Sequence, residues 1–141
     1  MNKLDDLVRR GKLKKISISK DMYEKEFSIA GKDLDSAKNS YDFQNYKWAT
    51  IQAYYAIFHA VRALVFKSGY REESHTALKT ALKELYISSE VLPISIYNAF
   101  ERGMDLREMA DYKETYSQNG AESLIKSVDE AIKLIELEVK R

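Results

Sequence analysis

A chain of 141 residues suits one domain with one core, and 45% hydrophobic against 32% charged residues excludes the poorly hydrophobic, disordered class. One proline and five glycines disfavour a turn-rich β fold and favour long helices; the absence of cysteine removes disulfides, thiolate metal sites and thiol nucleophiles together. Net charge is only +1, yet residues 1–20 hold seven Lys or Arg against Asp5 and Asp6, which leaves the remainder at about −4.

The expected organisation is therefore a basic N-terminal arm over residues 1–18, with a possible short helix, and a helical body over residues 19–141. Such an arm can touch phosphates, although basic termini are more commonly just solvated. No uncharged apolar run reaches the length of a membrane span, and MNKLDDLVRRGKLKK lacks the apolar middle of a secretory signal, so the cytoplasm is the expected compartment.

In chain order, a short helix fits residues 2–12, ended by Gly11 and followed by KKISIS, which reads as an alternating linker. A long amphipathic helix begins near Ser19 or Asp21, the latter at capping-box spacing from Glu24, and Met22, Phe27, Ala30, Leu34, Ala37 and Tyr41 recur at helical intervals. The next helix runs from about Tyr46 to Lys67 and stops at Gly69, a natural left-handed cap. Ile51, Tyr54, Phe58, Val61 and Val65 give it a bulky face, and Ala49, Ala53, Ala56, Ala60 and Ala63 a small one. A helix apolar nearly all round belongs at the centre of a fold. Its remaining arc holds Gln52, Tyr55, His59 and Arg62, polar groups that need partners if buried.

SHTALKTALKEL follows, with Ser74 as a plausible N-cap. Pro93 opens the helix that passes Gly103, a possible kink, and ends in DLREMADY near Tyr112. A last helix, expected to be capped by Asn119, carries Ala121, Ile125, Val128, Ile132, Ile135 and Val139 as a heptad seam. The expectation is an all-α, up-and-down bundle of four to five helices.

Little chemistry is fixed by motifs. The Glu-x-x-His pattern of diiron bundles occurs once, at Glu72 and His75, so no metal site is expected. Gly-rich phosphate loops are absent, and no serine is marked as a nucleophile. What remains is a polar set: Tyr55, His59 and Arg62 on the central helix, Ser74 and His75 at the start of the next, and Arg107, Asp111 and Tyr112. Arg107 and Asp111, four apart, also make an ordinary helix-surface ion pair.

The run WATIQAYYAIFHAVRALVFKSGYREESHTAL, then LREMADY, then a closing amphipathic helix, resembles the HEPN family over roughly residues 20–140. That resemblance implies a helical bundle that forms a homodimer, with its polar cleft near the dimer seam. It also implies either contact with nucleotide or RNA, or metal-independent RNA cleavage, or a purely structural dimerisation role. It further implies a small nucleotidyltransferase as partner in a toxin–antitoxin-like pair, with no cofactor. In the ribonuclease members an Arg-x4–6-His motif supplies the phosphate-stabilising arginine and the proton-carrying histidine. The matching arginine here is Arg107, but Asp111 and Tyr112 stand where the histidine would follow, so binding is expected ahead of cleavage. Arg107 and Asp111 are the catalytic candidates; Tyr55, His59, Arg62, Ser74, His75, Arg107 and Tyr112 are the candidates for nucleotide or RNA contact.

Overall fold

The computed structural model describes residues 2–141; Met1 lies outside the described residues. The elements are α1 (Lys3–Arg9), β1 (Leu13–Lys15), α2 (Lys20–Asp42), α3 (Tyr46–Lys67), β2 (Tyr70–Glu72), α4 (His75–Leu82), a π-helical turn (Lys83–Ile87), α5 (Ile94–Tyr112) and α6 (Gln118–Val139).

Helix α3 is the axis of the bundle. Both its bulky and its alanine faces are buried, and α2, α5 and α6 all pack on it, α2 most extensively. The α2–α3 connection is short because Asn45 caps α3, its side chain accepting from the Trp48 N–H at 3.4 Å. Ser19 caps α2 and Ser74 caps α4, each accepting from the amide three residues on. Helix α6 starts at Ser117, whose hydroxyl accepts from Gly120 at 2.9 Å, rather than at Asn119. The seam shifts with it: Leu124 is fully buried and Ile125 only partly.

Gly103 does not kink α5, which is continuous through it. A Cβ there would stand 3.2 Å from Tyr54 Cδ1 and 3.7 Å from Ile57 and Leu124, so the glycine lets α5 lie close against α3 and α6.

The N-terminal segment differs most from the sequence reading. KKISIS is not simply a linker: its start belongs to β1, which pairs antiparallel with β2, Leu13 opposite Glu72, Lys14 opposite Arg71 and Lys15 opposite Tyr70. Leu13 is wholly buried, and Leu4, Leu7 and Val8 of α1 pack at the core edge. The basic segment is thus docked on the bundle through its apolar side chains, while its Lys and Arg side chains remain exposed. Burying Leu13 contributes about 1.5–3 kcal/mol, enough to hold a three-residue strand in register. Gly69, at φ 89°, provides the left-handed turn that sends β2 back along β1. Among the described residues no helix is long and apolar enough to cross a membrane.

Candidate functional site

The polar arc of α3 divides between two clusters. Tyr55 turns toward α5, where its hydroxyl accepts from Arg107 NH2 at 3.0 Å. His59 and Arg62 turn toward α2 and β2. His59 Nδ1 lies 2.7 Å from Glu26 Oε1, and its Nε2 lies 3.6 Å from Asp33 Oδ2. Arg62 Nε reaches Glu72 at 3.0 Å, its NH1 lies 3.6 Å from Glu26, and its guanidinium sits over the Phe66 ring. Burial raises the Asp33 carboxyl above its ordinary value, and the nearby His59 works against that shift. Of the α3 candidates, therefore, only Tyr55 joins Arg107; His59 and Arg62 form a polar clamp that ties α2 and β2 to the central helix.

The other cluster is built on α3, α4 and α5 and surrounds a cavity of about 240 Å³ lined by Tyr54, His75, Met104, Asp105, Arg107, Glu108 and Tyr112. Arg107 is held on several sides. Its NH2 also pairs with Asp111 at 3.3 Å, and its guanidinium lies 5.4 Å from the Tyr55 ring centre and 5.2 Å from that of Tyr112. Its Nε is buried and has no hydrogen-bond partner. An unsatisfied buried donor on a charged group costs more than a neutral one, so this N–H is a destabilising feature that the fold tolerates beside the cavity.

Across the cavity, His75 opens α4 directly after the Ser74 cap. Its Nδ1 stands 2.6 Å from the Tyr54 hydroxyl, and its ring packs 4.7 Å from that of Phe58. Burial pushes the His75 pKa down, and the charges of Arg107 and Arg62 push the same way. Burial, with a smaller contribution from Tyr55, drives the Tyr54 phenol far above its ordinary range, so it stays protonated. A buried phenol with this one partner donates to Nδ1, which assigns His75 as the neutral tautomer with the proton on Nε2. The tyrosine thus orients the imidazole.

The structure brings Tyr55, His75, Arg107, Asp111 and Tyr112 together; Ser74 stands beside them as the cap of α4, and His59 and Arg62 are engaged by Glu26, Asp33 and Glu72, close enough for the Arg62 charge to act on His75. Tyr54 was missed as a site residue, because the helical wheel assigns it to the buried face. Its ring is there, with no exposed surface, and its hydroxyl reaches His75.

A small helical bundle whose central helix and two neighbours bring an arginine and a histidine to one cavity defines a class of helical domain. The chain belongs to the HEPN family: the HEPN domain model matches residues 23–139. Two proteins of Methanocaldococcus jannaschii are similar to it. "Putative toxin MJ0142" is 25% identical over 65% of this chain and 63% of its own length. "Putative toxin MJ0605" is 31% identical over 69% of this chain and 73% of its own length. The chain thus spans a little under two thirds of the first relative.

Proposed function

We propose that the protein is the HEPN module of a toxin–antitoxin-like pair and contacts RNA or nucleotide at the Tyr54–His75–Arg107 cavity. The observation that carries this reading is the convergence of Arg107, with an unpartnered Nε, and His75, from the successive helices α5 and α4, on one cavity. Arg107 and the Nε2–H of His75 both donate, as a phosphate requires, while Asp105 and Glu108 at the cavity wall can accept from ribose hydroxyls. Asp111 holds Arg107 in place and Tyr112 covers its guanidinium. The names of the two relatives support the toxin role. The partner in this reading is a small nucleotidyltransferase, and the compartment is the cytoplasm.

The module works as a homodimer in this reading. Trp48, Met109, Tyr112 and Tyr116 are large apolar or aromatic side chains left exposed on α3 and around the end of α5. A second copy would cover them.

Isothermal titration of the purified chain with ATP and with a short RNA tests the site. Heat with at least one ligand, abolished in Arg107→Ala, is expected; no heat with either, or unchanged heat in the variant, overturns the assignment. Sedimentation tests the dimer, and co-purification with the product of a neighbouring nucleotidyltransferase gene tests the partner.

A second reading, metal-independent RNA cleavage, is favoured by one observation: His75 supplies beside Arg107 the imidazole that the segment after Arg107 lacks. Incubation with RNA in EDTA decides it. Cleavage lost in both Arg107→Ala and His75→Ala supports the reading, and intact RNA excludes it.

A further inference from the structure

On the other side of Ser74 lies a second cavity, about 630 Å³, between α1 and the start of α4. Ser74 lines this cavity and His75, the next residue, lines the first, so the two open side by side around the beginning of α4. Lys3, Arg10, Lys12, Asp6, Ser74 and Thr76 face it.

The two cavities differ in charge. The walls of the first hold Arg107 against Asp105 and Glu108, with His75 neutral, a net of −1. The walls of the second hold three cations against Asp6, a net of +2. Asp6 is already engaged by Arg9 at 2.8 Å and Arg10 at 3.4 Å, Lys3 lies 3.9 Å from Glu84 at the rim, and Lys12 is in no ion pair among the described residues. The Ser74 hydroxyl accepts from Ala77 N–H and keeps its own proton to give. A polyanion is therefore not drawn by the first cavity alone; the attraction sits next to it.

The geometry of α1 supports the same conclusion. The helix has no fully buried residue, yet the β1–β2 pairing and the bond from Glu73 N–H to the Lys12 carbonyl at 2.9 Å hold its end firmly beside α4. Its contribution to the core is small, and what it places is charge. This segment lies ahead of the residues that the HEPN model matches.

We infer that the α1–α4 groove is a phosphate-binding subsite for a single-stranded RNA whose neighbouring nucleotide occupies the Tyr54–His75–Arg107 cavity. The inference rests on the proposed function and narrows it: the ligand is an RNA strand rather than a free mononucleotide. Lys3, Arg10 and Lys12 meet the backbone phosphates, and Ser74 stands where the strand passes from one cavity to the other. Sequence is not read in the groove, because contacts to phosphate position a strand without identifying its bases.

Fluorescence anisotropy with the full chain tests this, using a labelled octaribonucleotide and a labelled diribonucleotide over a range of salt. The double variant Lys3→Ala/Lys12→Ala, both exposed positions, is expected to bind the octamer about tenfold more weakly and to lower the salt slope by about 1.4, two single-strand phosphate contacts. Its affinity for the diribonucleotide should stay within about twofold of wild type, whereas Arg107→Ala weakens binding of both ligands. If wild type binds the octamer and the double variant binds it equally well, the groove is overturned and the Arg107 site stands. If the double variant weakens binding and Arg107→Ala does not, the groove stands as a phosphate site and the Arg107 assignment fails. If wild type binds neither RNA, both fail. Displacement of the octamer by poly-glutamate as readily as by unlabelled RNA overturns the RNA assignment in favour of an acidic protein partner.

Discussion

Replacing Glu72 by glutamine removes a charge from the α2–α3–β2 clamp while keeping its shape. Glu72 has 6% of its side chain exposed and lies 3.0 Å from Arg62 Nε, so its loss leaves a partly buried guanidinium without its nearest counter-charge. Breaking a fully buried pair costs about 3–5 kcal/mol. Arg62 retains 24% exposure and a second carboxylate, Glu26, at 3.6 Å, and glutamine still offers an acceptor oxygen, which together bring the expected loss to about 2 kcal/mol. For a chain of this size that lowers the thermal midpoint by roughly 6–10 °C. Urea titration of Glu72→Gln, Arg62→Met and the double variant gives the coupling between the two side chains, expected above about 1 kcal/mol. A loss under about 0.5 kcal/mol in Glu72→Gln, the value of an exposed pair, would refute the assignment of Arg62 and His59 to a structural clamp.

Leu13→Ala should cost about 2–5 kcal/mol in urea unfolding, as a wholly buried leucine does, with helix content by circular dichroism retained; a cost below 1 kcal/mol would mean that the N-terminal strand is not part of the core. Gly103→Ala gains up to about 1 kcal/mol of helix propensity but drives a methyl to 3.2 Å from the Tyr54 ring, and the expected net is a loss of about 1 kcal/mol; a gain in stability would show that the ring has room to move. The His75 pKa in the folded chain lies below its value in the unfolded chain, about 6.5, so the unfolded state takes up the proton first. Stability present above pH 6.5 is therefore lost as pH falls toward the folded pKa, and the urea midpoint of wild type should drop more between pH 7.5 and 5.5 than that of His75→Gln; equal drops would remove His75 from the account.

The helices were legible because their signals are local. Apolar spacing in α2 and α3, the Ser74 cap and the stop at Gly69 depend on residues within a turn or two of each other. The β1–β2 ribbon was not, since three-residue strands give too short an alternation, and the burial of Leu13 is decided by Glu72 and the helices beyond it. The same limit applies to the site. Arg107 and His75 could be picked out singly, but their meeting depends on the close approach that Gly103 allows between α5 and α3. The polar arc of α3 looked continuous along the helix; Glu26, Asp33 and Glu72, all outside that helix, divide it.

The ribbon also fixes an order of events during synthesis. Helices α2 and α3 are neighbours in sequence and can pack as soon as both have formed, whereas Leu13, made early, has no strand to join until Glu72 has been added. Pulse-labelled hydrogen exchange should accordingly find the amides of the ribbon protected after those of the α2–α3 hairpin. A nascent chain halted before Glu72 therefore already carries its basic segment, but not the groove that this segment helps to form.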